Sequence, residues 1–311
     1  MTMKRFIYAL LAFGLYGYGA CAQTVIKENE QQQFFNTVPK GNYSGIVPIG
    51  DDRYAVVSDK SPEDGFFIFH IDIDPVTGVI RSITNEGFRS SHYRNRDMEG
   101  ITYIPKKKQI LICGEADNNI YSYDLTTGKR SEKPWPKAPE FRYLYGNYGL
   151  ESLTYNEKTD RVWTCNENKN NMVYLRSYTS DGQLDTCYEY HLDPAASKGY
   201  PIIYAHGVSE LCALDDGRLL VLEREFFVPS TKVGSWVECK LFVTDFKTKR
   251  LVTSWKTDLT FTKYDIANYE GMCIARRLRN GNYILLLCSD SQDQYGGVLK
   301  DWFKTFIIKP S

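Results

Sequence analysis

The sequence predicts an all-β fold, a β-propeller of five blades. Three observations support this prediction. A small pentapeptide bearing glycine or serine recurs along the chain, each copy is followed by short apolar segments separated by charged or glycine-containing turns, and helical periodicity is nearly absent. Groups of about four antiparallel strands, repeated roughly every 50 to 60 residues, are typical of propeller blades.

The repeated pentapeptide begins the innermost strand of each predicted blade. Its copies are NYSGI (42–46), DMEGI (97–101), GLESL (149–153), GVSEL (207–211) and NYEGM (268–272). The third residues of successive copies are 55, 52, 58 and 61 positions apart. Inner strands crowd around the propeller axis, and small residues such as Gly45, Gly100 and Ser152 suit that crowding.

Further strands follow each inner strand. The second is strongly apolar, as in ILICG (110–114), and the third is visible in segments such as KLFVTDF (240–246). The last unit lacks a strand, which the segment TVIKENEQQQFF (24–35) can supply. This arrangement closes the ring with N- and C-terminal strands in one blade and removes exposed sheet edges. A sixth, degenerate blade within 116–148 or 186–206 is the alternative.

The first 22 residues are typical of an export signal. Lys4 and Arg5 precede the apolar segment 6–20, and Ala20-Cys21-Ala22 fits a cleavage site ahead of Gln23. The mature chain, 23–311, is then a single propeller domain. Lipidation of Cys21 is the alternative to cleavage after Ala22, so the protein is expected to be periplasmic, extracellular or lipid-anchored. Seven cysteines remain, and we expect buried apolar positions for them, with at least one free thiol.

Charge and motifs exclude several classes of function. The 38 Lys and Arg residues balance 38 Asp and Glu residues, and no basic stripe of the kind a nucleic-acid binder needs is present. The chain contains no GxSxG elbow, P-loop, HExxH or dinucleotide-binding glycine motif, and its four histidines lack metal-ligand spacing. We expect a monomer without a transmembrane segment in the mature chain, and a phosphoester or a glycan as its partner.

Acidic residues occur at both ends of the first hairpin in most units. In such a hairpin, the end of the second strand lies beside the start of the first. Closure of the ring therefore gathers acids around one mouth of the channel. From first strands these are Glu99, Glu151, Glu210 and Glu270, and from second strands Asp59, Glu115, Glu167, Glu223, Glu225 and Asp290.

Like charges at this density are unfavourable unless something compensates for them. Ca²⁺ is one candidate, because it takes oxygen ligands. The predicted calcium ligands are Glu99, Glu115, Glu151, Glu167, Glu210, Glu225, Glu270 and Asp290. Pairing with basic residues is a second alternative, for which Lys60, Arg94, Arg96 and Arg224 are available. As a third, the acids accept hydrogen bonds from backbone amides of neighbouring blades and only stabilise the ring.

Two loops are candidate recognition elements. The loop SSHYRNRD (90–97) is expected to overhang the mouth, and its binding residues would be His92, Tyr93, Arg94 and Arg96. The tract SEKPWPKAPEFRYLYGNYG (131–149) is proline-rich and aromatic, and we expect it to form a recognition flap.

The motifs also support a resemblance to a known family. NYSGI with YAVVSDK, RDMEGITYIP, GLESLTYN, GVSELCALDDGRLLVLERE (207–225) and NYEGMCIARRLRNGNYILLLCSDSQDQYGG (268–297) resemble the phytase-like, or "esterase-like activity of phytase", propeller family. The resemblance covers roughly residues 40–309. Similarity to the SdiA-regulated propellers is weaker. The first unit departs from the pattern, because Ser44 replaces an acid and SDK (58–60) replaces SDD.

The resemblance implies an acidic channel mouth and a calcium-assisted phosphoesterase or esterase activity. The catalytic candidates are Arg224, Lys60 and Glu223, of which Arg224 and Lys60 would stabilise the charge of a phosphate. A phytase pocket would need more basic residues than this chain offers, so the substrate class is open. The alternative is a noncatalytic exported propeller that binds a glycan, a peptide or a protein partner through its mouth and flap.

Overall fold

The structure, a computed structural model, describes residues 25–144 and 148–309. Within them, nineteen β-strands form five antiparallel sheets and no α-helix occurs. The sheets are the blades of a propeller, which confirms the predicted fold class and the number of blades. The predicted signal peptide, 1–22, lies outside the described residues. No helix of the described chain is long and apolar enough to cross a bilayer.

The strands follow one another in chain order. The first, β1 (Val25–Glu28), belongs to the last blade. Blade 1 contains β2 (Tyr43–Gly50), β3 (Arg53–Ser58), β4 (Glu63–Ile73) and β5 (Ile80–Arg94). Blade 2 contains β6 (Met98–Ile104), β7 (Gln109–Gly114) and β8 (Asn119–Asp124). Blade 3 contains β9 (Leu150–Asn156), β10 (Arg161–Asn166), β11 (Met172–Thr179) and β12 (Leu184–His191).

The last two blades complete the ring. Blade 4 contains β13 (Ile203–Ala213), β14 (Leu219–Val228), β15 (Trp236–Thr244) and β16 (Lys249–Asp258). Blade 5 contains β17 (Asn268–Arg277), β18 (Tyr283–Asp290), β19 (Phe303–Ile308) and β1. Short 3₁₀ turns occur at Pro105–Lys107, Pro139–Phe141 and Asp293–Gly297.

Blade 5 closes the ring as predicted. Its outermost strand is β1, which pairs antiparallel with β19 so that Glu28 lies opposite Phe306. Aromatic packing joins this blade to blade 1, because the rings of Tyr43 and Phe69 are 5.4 Å apart and Phe303 packs against both. The N- and C-terminal segments are therefore held in one blade.

Blade 2 has three strands, and an irregular segment covers its outer edge. Along that edge, the amide of Ser131 donates to the carbonyl of Ser122 at 2.7 Å, and the amide of Trp135 donates to that of Ile120 at 2.8 Å. Pro134 lacks an amide hydrogen and cannot extend the ladder. In the described chain, neither stretch proposed for a sixth blade forms one, since 186–206 contributes only to β12, β13 and their connection.

The inner strands approach one another closely at the axis. A Cβ atom on Gly100 would lie 2.4 Å from the backbone of Leu153, and one on Gly45 would lie 2.6 Å from the carbonyl oxygen of Glu99. This confirms the steric reason for the small residues. The axis has a cavity at each end, with no lining residue in common. The smaller, about 150 Å³, is lined by the last residues of the inner strands, and we call it the apolar opening.

Candidate functional site: an acidic mouth on the propeller axis

The larger cavity, about 740 Å³, lies where the inner strands begin and the second strands end. The pairing of Leu150 with Asn166 and of Gly207 with Arg224 shows this arrangement in blades 3 and 4. Seven acidic residues line the cavity, which are Asp59, Asp97, Glu99, Glu115, Glu151, Glu167 and Glu270. We call this cavity with its seven acids the acidic mouth.

Two cationic side chains line the acidic mouth within the described residues, Lys60 and Arg224. Arg224 is buried and already paired. Its guanidinium donates to Glu167 at 2.8 Å, to Glu270 at 2.9 Å and to the amide oxygen of Asn268 at 2.9 Å. Burial acts to lower the pKa of Arg224, but the two carboxylates outweigh it and raise that pKa above its ordinary value. Arg224 therefore neutralises part of the site.

Glu99 and Glu151 have no hydrogen-bond donor or ion-pair partner in the described chain, although Lys60 and Arg224 act on them from a distance. Both residues are buried, with exposed fractions of 8% for Glu99 and 7% for Glu151. Neither carboxylate is paired with a donor or a cation among the described residues. Burial, followed by repulsion from neighbouring carboxylates, raises the pKa of both well above the ordinary value for glutamate. Each is thus held as a neutral acid, or its charge requires a cation from solution.

Asp59 and Glu115 are partly compensated. Asp59 accepts a hydrogen bond from the ammonium group of Lys60 at 2.6 Å, while its other carboxylate oxygen is buried and has no partner in the described chain. Glu115 accepts a hydrogen bond from the amide of Gly149 at 3.1 Å. Burial is the main cause that raises the pKa of both acids to about 7.

Glu210 and Asp290 do not line the cavity. Glu210 is fully buried, and it accepts hydrogen bonds from the hydroxyl of Ser152 and from the amide of Leu211. Asp290 accepts hydrogen bonds from both the backbone and the side chain of Gln292. Both acids have local donors, as expected of carboxylates that stabilise contacts between strands.

Glu223 and Glu225 lie outside the acidic mouth. Successive side chains of a strand point to opposite faces, so Arg224 cannot share its face with either neighbour in β14. Glu223 instead accepts hydrogen bonds from the hydroxyl of Tyr190 at 2.6 Å and from Lys249 at 2.9 Å. Glu225 accepts them from the amides of residues 196 and 197. The sequence argument grouped these two glutamates with the ring, and neither of them lines the acidic mouth.

The loop at 90–97 reaches the mouth only at its last residue, Asp97. The outer strand β5 continues, with an irregular register near its end, up to Arg94, so His92, Tyr93 and Arg94 stand at the periphery of blade 1. Tyr93 stacks on the guanidinium of Arg130. Arg96 is buried, and it pairs with Asp117 at 2.8 Å and with Asp64 at 3.4 Å. None of the four predicted binding residues lines the acidic mouth.

Several lining residues escaped the sequence argument. Uncharged and aromatic side chains complete the wall, including Tyr148, Asn168, Asn171, Tyr204 and His206. Burial is the main cause that lowers the pKa of His206 below its ordinary value, which leaves a neutral imidazole at neutral pH. Most of these residues lie in connections that carry no periodic signal. Only Tyr148, within the predicted flap, had a signal that pointed to it.

The acids surround a space instead of converging on a point. Within the described residues, no group of three or more His, Cys, Asp or Glu side chains is arranged to hold a metal ion. All seven cysteines of that part of the chain are unpaired, and six of them are buried. The chemistry of the site is therefore that of a concave, electronegative cavity with partly unpaired oxygen ligands.

A five-bladed propeller with an acidic cavity on its axis is the class that the fold and the site define. The chain matches the family model "Phytase-like: Esterase-like activity of phytase" over residues 38–292, and it belongs to this family. This confirms the resemblance that the motifs indicate. The weaker similarity to the SdiA-regulated propellers is not confirmed. Comparison with curated protein sequences finds no significant match.

Solved propeller structures resemble this chain in fold. A luciferin-regenerating enzyme has a TM-score of 0.45 at 9% identity, over 87% of this chain and 94% of its own. The calcium-binding protein regucalcin from Agrobacterium tumefaciens has a TM-score of 0.40 at 13% identity, over 86% of this chain and 77% of its own. The periplasmic gluconolactonase of Pseudomonas aeruginosa has a TM-score of 0.39 at 13% identity, over 83% of this chain and 70% of its own. These scores carry no argument about chemistry.

Proposed function

We propose that this protein is an exported hydrolase that cleaves a phosphoester in the acidic mouth with the assistance of calcium. One observation carries the proposal: seven carboxylates and two cationic side chains line the cavity. Unpaired buried charge is costly, and a bound cation reduces that cost. Family membership supports the same class of activity.

The oxygen donors of the acidic mouth are of the chemical type that calcium binds, although in the described residues they do not converge on one point. Ca²⁺ takes about six to eight oxygen ligands from carboxylates, carbonyls and water. Asp59 offers a buried oxygen without a partner among the described residues, and Glu99 and Glu151 are unpaired. These three residues, with Glu115, would hold the ion. Bound there, Ca²⁺ would supply a Lewis acid for a phosphoryl oxygen and its attacking water.

Three further side chains of the mouth would bind the phosphate, accept a proton and position the acids. Lys60 is partly exposed, with a side chain 46% accessible, and its ammonium group can donate to a phosphate oxygen. His206 offers a neutral imidazole that can accept a proton from water. Arg224 is held by two carboxylates and acts as a positioning residue for Glu167 and Glu270. Its predicted direct contact with phosphate is not part of this mechanism.

A noncatalytic binding protein is the second candidate. It is favoured by the pairing of Arg224 with two carboxylates, because the strongest phosphate-binding side chain of the mouth is then not free for a phosphate. In that case the acidic mouth would hold a cation for stability, and the surrounding loops would bind a glycan, a peptide or a protein.

Metal analysis and turnover distinguish the two candidates. We expect the purified protein to bind calcium in isothermal titration, and to hydrolyse p-nitrophenyl phosphate only when calcium is added back after treatment with a chelator. Lys60→Met is expected to lower kcat at least tenfold. Lys256→Met serves as the matched control, because Lys256 lies on the outer strand β16, away from the mouth. Calcium binding without turnover of any phosphomonoester would favour the binding protein.

Export is part of the proposal and has its own test. The basic start, the apolar segment and the Ala-Cys-Ala site within residues 1–22 support it. We expect the intact mass of protein recovered from the exported fraction of a bacterial host to correspond to a chain that begins at Gln23. A mass that retains 1–22 would contradict export with cleavage, and a diacylglycerol adduct would assign Cys21 as an anchor.

A further inference from the structure

Exposed aromatic side chains are concentrated on one face of the propeller. Nine aromatic residues in the described chain are both large and exposed. Eight of them lie on segments at the end of the axis where the inner strands begin. These are Phe35, Tyr93, Tyr143, Tyr148, Tyr200, Tyr204, Phe261 and Tyr264. The exposed apolar residues toward the opposite face are aliphatic, such as Val76 and Leu184. The face around the acidic mouth therefore differs from the other face in composition.

A groove on this face lies beside the acidic mouth. Its volume is about 460 Å³, and it is lined by Tyr143, Leu144 and Tyr148 together with residues 168–171. Tyr148, Asn168 and Asn171 line both cavities, so the two spaces adjoin each other. We call this space the Tyr–Asn groove.

The asparagine side of the groove is a fixed two-residue turn. Lys169 and Met172 exchange backbone hydrogen bonds of 2.8 and 3.2 Å, and Asn170 and Asn171 between them have φ angles of 59° and 63°. Such turns match the twist of a hairpin and favour asparagine. Asn168 anchors the turn, because its amide donates to the carbonyl of His206 at 2.6 Å and its oxygen accepts from the amide of Asn171 at 2.8 Å.

The groove offers aromatic faces and amide groups with little charge. The Tyr143 and Tyr148 side chains are exposed, and Lys169 is the one charged residue among those lining the described groove. Tyrosine faces pack against the apolar faces of sugar rings, and asparagine amides both donate to and accept from hydroxyl groups. A body with many phosphates would instead meet the seven carboxylates of the mouth with too few cations to neutralise them.

We propose that the Tyr–Asn groove binds the neutral, polyhydroxylated body of the substrate, a carbohydrate-like group, while its single ester group enters the acidic mouth. This inference rests on the proposed hydrolase function for its catalytic half, but the groove can be tested by binding alone. It assigns the substrate class as a monoester of a sugar or polyol, in preference to a polyphosphate.

The assignment is tested by comparing the kinetic constants of groove variants for substrates with and without a neutral body. Glucose 6-phosphate is the probe with a neutral body, methyl phosphate is the probe without one, and inositol hexakisphosphate is the polyanion. We expect Tyr143→Ala and Asn170→Ala each to raise KM for glucose 6-phosphate at least tenfold, and to leave kcat/KM for methyl phosphate within twofold. Phe35→Ala is the control, since Phe35 is an exposed aromatic on the same face that does not line the groove. A higher kcat/KM for inositol hexakisphosphate than for glucose 6-phosphate would overturn the assignment.

A binding experiment separates this inference from the proposed function. We expect maltotriose, which carries no ester, to give saturation-transfer NMR signals with the wild type that Tyr143→Ala abolishes. Such binding without hydrolysis of any ester would remove the hydrolase proposal and leave the groove assignment standing. Hydrolysis of methyl phosphate without binding of maltotriose would remove the groove assignment alone. Binding of a lysine-rich peptide in place of maltotriose would also overturn it.

Discussion

The acidic mouth and the apolar opening lie at opposite ends of the same inner strands, but their carboxylates differ in whether they have ion-pair partners. The apolar opening is lined by apolar side chains such as Ile46, Leu153 and Ile274, together with polar residues that include Glu157, Asp215 and Arg277. Of its two acids, Asp215 pairs with Arg277 at 2.7 Å, and that hydrogen bond is the main cause that lowers the pKa of Asp215. In the acidic mouth, by contrast, burial raises the pKa of Glu99, Glu115 and Glu151.

The comparison shows which carboxylates serve the fold. An acid that stabilises structure has its partners nearby, as Asp215 does at the apolar opening and Glu223 does between blades 3 and 4. Glu99 and Glu151 have no such partner in the described chain. Natural proteins tolerate an uncompensated buried group chiefly at functional sites, because it costs stability. The mouth is therefore the end of the axis where function is expected.

Replacing one arginine at each end of the axis tests the comparison, and the variant at the acidic mouth is expected to give the largest loss of stability. Arg224→Met leaves Glu167 and Glu270 buried without their cation, and removal of one partner of a buried ion pair costs about 3–5 kcal/mol. Arg277→Met at the apolar opening breaks a more exposed pair and is expected to cost about 1 kcal/mol or less. Urea unfolding with a chelator present measures both. Equal losses of stability would show that the two ends do not differ as described.

Calcium is expected to act on one end only. At a calcium concentration 100 times Kd, the wild type should gain about 2.7 kcal/mol of stability. The double variant Glu99→Gln/Glu151→Gln should gain none, because it lacks the unpaired carboxylates. Differential scanning fluorimetry with calcium and with a chelator checks this. The exposed pair Glu132→Gln/Glu189→Gln is the control. A double variant that is destabilised equally under both conditions would indicate that the acids only hold the blades together.

The pH dependence of stability sharpens the contrast. In the folded protein Asp59 and Glu115 have pKa values raised to about 7, above their unfolded values. Between about pH 4 and pH 7 the folded state therefore binds more protons than the unfolded state, so stability falls as pH rises through this window. Without calcium, we expect the melting temperature to drop by about 5 °C between pH 5 and pH 8. Saturating calcium should remove most of that drop. A melting temperature that rises with pH in chelator would contradict the raised pKa values.

Lys60→Met is expected to give the smallest change in stability. The ammonium group of Lys60 is partly exposed and pairs only with Asp59, so its loss should change the free energy of unfolding by about 1 kcal/mol or less. Its effect on turnover, given above, should be far larger than its effect on stability. Urea unfolding of the variant beside Lys256→Met provides the measurement. A loss as large as that of Arg224→Met would assign Lys60 a mainly structural role.

Local patterns were sufficient to predict the blades. Alternating apolar strands, turn residues and the recurring pentapeptide depend on neighbours in sequence, so they define strand order, blade number and the closure by β1 without tertiary information. The same reasoning identified Glu99, Glu115, Glu151, Glu167 and Glu270 as acids of one mouth. The edge of blade 2 departed from the pattern because its prolines cannot extend a ladder.

The sequence by itself determined the propeller and the ring of acids, and the tertiary structure decided which acids share the cavity. A shift of one residue moves a side chain to the other face of a strand, and the irregular register between Val208 and Glu210 hides that choice from the sequence. Arg224 consequently faces the mouth, while Glu223 and Glu225 face away. The Tyr–Asn groove likewise depends on contacts between connections of different blades, which no local pattern encodes.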